Sequence, residues 1–163
     1  MKEKGILVHG VDIDKDYVDR CQLSIEKDNL QSQISVTHES IYDHKCIDEN
    51  RLYDVIYFSG SFMLMPDPIQ CLIHIRNLMK VDGNEAIYFT QTFQEKSLWF
   101  VDIIKPLLCW FTTIDFGHTT YERDFIKVLK AGGLEIVDMR TISKGVLGST
   151  SSRLVTVKIA TSS

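Results

Sequence analysis

Two aspartates, Asp12 and Asp14, follow the apolar run at residues 5–11 near the start of the sequence. Ligands of open α/β sheets bind outside the carboxyl ends of the strands, where a carboxylate is well placed to accept hydrogen bonds from ribose hydroxyls. A second interpretation needs no ligand, because aspartate is a preferred helix N-cap and a helical pattern begins at once. The stretch therefore predicts a buried strand that ends in a nucleotide contact or in a cap.

Three small residues, Ser59, Gly60 and Ser61, follow a second strand-like run at residues 53–58. That run is rich in β-branched and aromatic residues, as expected for a strand covered on both faces. Small residues allow a backbone to approach a ligand closely. The same residue types form tight turns between a strand and a helix, so both interpretations stay open.

The cysteines and histidines do not predict a metal site. The four cysteines are Cys21, Cys46, Cys71 and Cys109. They are far apart, which is typical of free thiols in a reducing compartment. The run His44-Lys45-Cys46 and the nearby His38 supply ligand types, but no CxxC or HxxxH spacing accompanies them. We therefore expect no bound metal.

Composition and charge indicate one domain of 163 residues, 44% hydrophobic and 25% charged. The net charge of −4 and the scattered lysines and arginines do not favour a nucleic-acid partner. The longest apolar segment, 98–116, is interrupted by Asp102, Lys105 and Pro106, so no membrane span is predicted. The first residues lack a signal-peptide layout, which favours a cytoplasmic location.

Strand and helix patterns alternate along most of the chain and predict an α/β fold. The predicted strands are 5–12, 34–38, 53–58, 86–91, 134–139 and 153–160, and the predicted helices start near residues 15, 68 and 119. An apolar segment at 93–118 interrupts the alternation. The expected organisation is a single domain, 1–163, with a helical insertion at about 93–118.

Three stretches in this order resemble class I S-adenosylmethionine-dependent methyltransferases of the small-molecule type. They are Val-His-Gly-Val-Asp-Ile-Asp at 8–14, Tyr-Asp-Val-Ile-Tyr-Phe-Ser-Gly-Ser at 53–61, and Lys-Ala-Gly-Gly-Leu-Glu-Ile-Val at 130–137. The resemblance covers residues 5–160. It implies a Rossmann-like, mostly parallel sheet with a C-terminal antiparallel hairpin, and S-adenosylmethionine as cofactor.

The resemblance also implies residue roles. Asp12 would hold the ribose hydroxyls, and Ile13 would pack on one adenine face. Ser40, with Glu39 beside it, falls where the family often binds the adenine amino group. The residues expected to border the methionine part of the cofactor are Ser59, Gly60 and Ser61.

Two departures from the family pattern shape the expected function. The family's first strand and glycine-rich loop should precede Gly5, where the sequence has four residues, so we expect an N-terminally truncated domain that binds cofactor poorly. No Asn-Pro-Pro-Tyr-like run follows the strand at 53–58, so the resemblance favours a small-molecule methyl acceptor over a nucleic-acid base.

The predicted activity is methyl transfer to a small, fairly apolar acceptor. His118, beside Asp115, is a candidate general base, but a histidine before a helix is commonly a surface or capping residue, so no catalytic residue is assigned. One alternative is a truncated, inactive methyltransferase-like module that binds a ligand or partner. An NAD-dependent dehydrogenase fragment is less favoured, because no Tyr-x-x-x-Lys pair is present.

The insertion at 93–118 holds more apolar surface than one helical face needs, including Trp99 and Trp110. Pro106 should break or kink any helix there. The segment predicts either a two-part helical lid over the acceptor pocket or a dimer interface. A homodimer formed through this segment or through exposed strand edges is the expected protein partner.

Overall fold

The computed structural model describes residues 5–46, 52–80, 86–95, 120–145 and 149–160. The chain divides into two compact units, Met1–Glu49 and Asn50–Ser163. The first contains β1 (Val8–Asp12), α1 (Lys15–Lys27) and β2 (Ile34–His38). The second contains β3 (Val55–Ser59), a 3-10 turn (Phe62–Leu64), α2 (Pro68–Arg76), β4 (Ala86–Gln94), α3 (Glu122–Ala131), β5 (Leu134–Lys144) and β6 (Thr150–Ile159). The α/β class is confirmed, and the single domain over 1–163 stays a prediction.

The first unit is a β-α-β arrangement in which β1 and β2 pair in parallel, from Val8 opposite Ile34 to Asp12 opposite His38. Helix α1 connects them and begins after Asp14, whose side chain accepts hydrogen bonds from the backbone N–H groups of the first turn. The predicted cap at Asp14 is therefore confirmed. Because the pairing is parallel, the carboxyl ends of β1 and β2 lie side by side.

The burial predicted for the first strand is wrong. Ile6, Leu7 and Val8 are 81%, 55% and 48% exposed. Among the described residues, β1 pairs with β2 in a two-stranded sheet, so one edge of β1 has no strand beside it. The apolar run therefore predicts a strand correctly, but it does not predict how much of that strand is buried.

The second unit is built on a four-stranded sheet in the order β3-β4-β6-β5. Strands β3 and β4 pair in parallel, whereas β6 pairs antiparallel with both β4 and β5. The predicted C-terminal hairpin is thus confirmed. The pairing of β5 with β6 has two register shifts, between Ile136 and Asp138 and between Thr141 and Ser143. These irregularities interrupt the edge strand β5.

Strand β4 continues to Gln94, further than the predicted end at residue 91. Phe93 and Gln94, placed at the start of the insertion by the sequence, therefore belong to the strand. Residues 96–119 lie outside the described part of the chain, so the helical insertion stays a prediction for them. The helix start predicted near residue 119 also lies there, and the N-cap of α3 is Tyr121, without a side-chain hydrogen bond.

A cluster of phenylalanines forms the centre of the second unit. Phe89 stacks on Phe58 at 5.1 Å between ring centroids, and it meets Phe62 and Phe125 edge-on at 4.8 and 5.5 Å. Offset and edge-on aromatic pairs are favourable beyond the apolar area that they bury. Apolar side chains complete this core: Leu72, Ile75, Met79, Ile87, Leu129, Val155 and Val157.

Strand β3 is covered less than its sequence predicts. Phe58 is buried, but Val55 and Tyr57, which point to the opposite face of the sheet, are 51% and 54% exposed. The two-sided cover expected from the run at 53–58 is therefore wrong. Among the described helices, none is long and apolar enough to cross a membrane.

Candidate functional site

The carboxyl ends of β1 and β2 bring together the residues that the sequence assigns to the nucleoside. Asp12 ends β1, and its carbonyl oxygen accepts a hydrogen bond from the backbone N–H of Glu39, with N···O at 3.0 Å. The Asp12 Oδ1 atom accepts the backbone N–H of Asp14 at 2.8 Å. No other hydrogen bond to this exposed carboxylate occurs within the described residues. Acceptor capacity therefore remains on Asp12.

Ile13 follows Asp12 directly and is 74% exposed, although it is a large apolar residue. Its carbonyl oxygen lies 3.1 Å from Nε2 of His38, at the end of β2. This contact ties the segment after β1 to the neighbouring strand. Ile13 and Asp12 therefore offer an apolar contact and a polar contact side by side.

Ser40 stands two residues beyond β2 at the same edge and starts a turn. Its Oγ accepts the backbone N–H of Tyr42 at 3.3 Å, and its carbonyl accepts the N–H groups of Asp43 and His44 at 3.0 and 3.1 Å. The half-buried side chain is thus partly used in local structure. The adenine contact assigned to Ser40 stays a prediction.

In the second unit, Ser59 ends β3, and Gly60 and Ser61 lead from it into the 3-10 turn. Gly60 has φ of +76°, a conformation that residues with a Cβ rarely adopt, and its N–H donates to the Thr90 carbonyl at 2.9 Å. All three residues are exposed. The turn interpretation is therefore confirmed, whereas a border to a cofactor stays a prediction.

His9, Glu39 and His44 form a cluster in the first unit that the sequence did not predict, although His44 was named there as a possible ligand type. Nδ1 of His44 lies 2.5 Å from Oε1 of Glu39, and the rings of His9 and His44 stack at 5.3 Å between centroids. One potential ligand atom from each residue lies within 4.8 Å of the other two. The arrangement joins two imidazoles and one carboxylate.

The surroundings of His9 hold its ring in place and alter its acidity. Its Nδ1 lies 2.8 Å from Oγ of Ser35, and its Nε2 lies 3.2 Å from Oγ1 of Thr37, both on β2. Burial, and to a smaller extent the neighbouring His44, lowers the pKa of His9, while Glu39 opposes this shift. The imidazole of His9 is therefore favoured in its neutral form.

Of the ligand types that the sequence analysis named, His44 joins this cluster, whereas His38 and Cys46 do not. His38 contacts the Ile13 carbonyl, and Cys46 is a half-buried thiol whose pKa is raised by burial. A histidine in the middle of an apolar strand, as His9 is, was the signal available in the sequence. Its partner in space could be found only from the register of β1 on β2.

Comparison with known proteins places the fold. No protein-family model and no curated protein matches the sequence. Among solved structures, the (4+2)-cyclase SpnF matches with a TM-score of 0.71 and 12% identity, over 96% of this chain and 67% of that protein. Magnesium protoporphyrin IX methyltransferase from Synechocystis PCC 6803, with bound SAH, gives 0.65 and 17%, over 94% and 64%.

A third similar structure is geranyl diphosphate C-methyltransferase from Streptomyces coelicolor, in complex with Mg²⁺, geranyl diphosphate and S-adenosyl-L-homocysteine. It gives a TM-score of 0.67 and 10% identity, over 92% of this chain and 62% of that protein. The chain thus spans 62 to 67% of the length of these three proteins. At this identity the similarity establishes architecture rather than reaction. The chain therefore has the fold of the class I S-adenosylmethionine-dependent methyltransferases.

Proposed function

We propose that the chain binds S-adenosylmethionine at the strand edge of its first unit and serves methyl transfer to a small, fairly apolar acceptor. The observation that carries the proposal is the exposed carboxylate of Asp12 at the end of β1 in this fold. Its remaining acceptor capacity suits the two hydroxyls of a ribose. The exposed side chain of Ile13, next in sequence, would pack against the adenine ring.

The family resemblance assigns the methionine part of the cofactor to Ser59, Gly60 and Ser61, and that assignment stays a prediction. The exposed turn at Ser59, Gly60 and Ser61 offers backbone without bulky side chains, which supports a close approach. When bound, S-adenosylmethionine supplies an activated methyl group on a sulfonium. The protein would then hold acceptor and methyl group in line and exclude water. No residue is assigned to proton removal, and His118 lies outside the described residues.

The acceptor class rests on two kinds of support. Two of the similar structures are methyltransferases named for small molecules, magnesium protoporphyrin IX and geranyl diphosphate. The segment 93–118 adds apolar residues in this sequence, which suits a lid over an apolar acceptor. If Trp99→Ala and Trp110→Ala change sedimentation but not acceptor affinity, the segment is a dimer interface and not a lid.

A binding module without methyl transfer is the second candidate. The similarity to SpnF, named a (4+2)-cyclase, indicates that this fold is not confined to methyltransferases. Both candidate functions require a ligand bound at Asp12, at the carboxyl end of β1. A binding measurement therefore tests both functions at once. Turnover of a methyl acceptor would then separate the enzyme from the module.

A nuclear magnetic resonance titration of the ¹⁵N-labelled chain with S-adenosylhomocysteine tests the proposal even when affinity is weak. The amide signals of Asp12, Ile13 and Ser40 should shift together and saturate. Asp12→Ala should abolish saturation, whereas Asp28→Ala, beyond the opposite end of α1, should not. If millimolar S-adenosylhomocysteine shifts no signal, or if NAD⁺ gives the same shifts at lower concentration, the proposal is wrong.

A further inference from the structure

We propose that His9, Glu39 and His44 form a binding site for a divalent transition-metal ion of the Zn²⁺ class. Two imidazoles and one carboxylate are a donor set that zinc takes in proteins, usually with water in the remaining position. Within the described residues, this is the group of histidine, cysteine and acidic side chains whose ligand atoms converge. The site lies wholly in the first unit and does not rest on cofactor binding.

The distances are close to those that an ion requires. Ligands bound at 2.0 to 2.2 Å around a tetrahedral zinc ion lie about 3.3 Å from one another. The three ligand atoms here lie within 4.8 Å of one another, and the pair formed by His44 and Glu39 is 2.5 Å apart. Side-chain shifts of about 1 Å would open that hydrogen bond and draw His9 inward.

The three ligands are positioned by different elements of the same small unit. His9 lies within β1, Glu39 follows β2, and His44 follows the turn that Ser40 starts. The backbone N–H of His44 donates to the Ser40 carbonyl at 3.1 Å, which fixes the turn. An ion bound to all three residues would cross-link β1 to the segment after β2. Metal binding should therefore raise the stability of this unit.

Groups around the ligands match the usual outer contacts of a metal site. Serine and threonine hydroxyls lie at both ring nitrogens of His9, so whichever nitrogen binds the ion, the other keeps a hydroxyl partner on β2. Such contacts orient metal-bound histidines. The side chain of His44 is 5% exposed and that of Glu39 is 32% exposed. The His44 side of the site is therefore buried, and the Glu39 side is accessible to solvent.

Titration of the metal-free full chain with Co²⁺, followed by visible absorption, measures the site directly. We expect saturation at one ion per chain, ligand-field bands of a four- or five-coordinate ion, and displacement of Co²⁺ by Zn²⁺. Thermal unfolding with Zn²⁺ should occur at a higher temperature than in EDTA. Failure to saturate at one ion per chain with Co²⁺ up to millimolar concentration would overturn the proposal.

Variants assign the ion to these three residues. Because His44 is buried, its loss could unfold the unit, so the partly exposed Glu39 is the better position for substitution. Glu39→Gln should weaken Co²⁺ binding by more than tenfold, since loss of an outer contact alone commonly costs 10- to 100-fold. His9→Gln should do the same.

The matched controls are His38→Gln and Cys46→Ser, which remove nearby ligand types outside the cluster. Both should bind Co²⁺ as the unmodified chain does. Circular dichroism should show the same helix content in all variants. Unchanged Co²⁺ affinity in Glu39→Gln, or loss of binding in Cys46→Ser, would show that the ion is not held by this cluster.

Discussion

The backbone N–H of Glu39 donates a hydrogen bond to the carbonyl oxygen of Asp12, with N···O at 3.0 Å. This bond extends the parallel ladder one step beyond β1 and β2. It joins the residue proposed for ribose binding to a residue proposed for metal binding. The Asp12 side chain is exposed, whereas that of Glu39 meets His44, so substitutions of the two side chains can separate the two proposed sites without removing the backbone bond.

Replacing Asp12 by alanine should weaken S-adenosylhomocysteine binding by about 1.5 to 3 kcal/mol, the scale for hydrogen bonds to a charged group. Isothermal titration calorimetry, or the NMR titration when affinity is low, would measure the change. Asp28→Ala removes an equal charge at the C-terminal end of α1 and serves as the control. Equal affinity in the unmodified chain and Asp12→Ala would refute the ribose assignment.

Replacing Asp14 by alanine should act on stability. Its Oδ1 accepts the N–H groups of Asp16 and Tyr17 at 2.9 and 3.4 Å, and loss of an N-cap typically costs about 1 kcal/mol. Urea denaturation followed by circular dichroism would detect the loss. Asp14→Ser, which can also cap, should restore most of it. A cap role is untenable if the alanine and serine variants are equally destabilised.

The stability of the first unit should depend on the protonation of His9. Its pKa is lowered from 6.5 in the folded state, chiefly by burial and then by His44. The unfolded chain therefore binds the proton more readily than the folded one. As a result, His9 contributes fully to the free energy of unfolding above about pH 6.5, and this contribution is lost as the pH falls through the lowered pKa. In EDTA, acidification from pH 7.5 should lower the melting temperature less in His9→Gln than in the unmodified chain. Parallel pH profiles would contradict this.

Gly132 should tolerate no side chain. A Cβ placed there would lie 2.8 Å from Cβ of Leu72, which is fully buried in the core of the second unit. Overpacking of this kind costs about 1 to 3 kcal/mol. Gly132→Ala should lower the urea midpoint accordingly. Gly5→Ala, with no atom within 4 Å of the added Cβ, is the control, and equal midpoints for the two variants would refute the clash.

Cys71 should resist alkylation in the folded protein while Cys21 reacts. Cys71 is fully buried, and burial raises its thiol pKa to about 11, so about one thousandth would be thiolate at pH 8 even if reagent could reach it. Cys21 is exposed. Mass spectrometry after iodoacetamide treatment would locate the adducts. Labelling of Cys71 at the rate of Cys21 would mean that this core opens readily.

Local sequence signals predicted the elements and some of their ends. The cap at Asp14, the helix start at Pro68 and the closing hairpin follow from patterns within a few residues. The amount of cover on β1 and β3 could not be predicted in this way. It depends on which elements pack on each face of the sheet, and a short apolar run does not report that.

The same limit applies to the candidate sites. Asp12 and Ile13 could be placed at a strand end because one continuous run delivers them. The cluster of His9, Glu39 and His44 could not, because it needs the register of β1 on β2 and the turn that returns the chain after Ser40. The sequence analysis looked for a fixed spacing between metal ligands within one segment. That signal could not find this cluster, because its ligands come from three different segments.

The two register shifts in β5 bear on how molecules of this protein can meet. A regular edge strand presents an even row of N–H and C=O groups, which another chain can pair with and extend. The shifts at Ile136 to Asp138 and at Thr141 to Ser143 break that row, and Glu135, Arg140 and Lys144 add charges along it. Glu135 pairs with Lys158 at 3.6 Å and Arg140 with Asp138 at 3.3 Å, and these groups would have to be desolvated before a second strand could dock. Open-ended polymerisation along the β5 side is thereby opposed by backbone shape and by charge together.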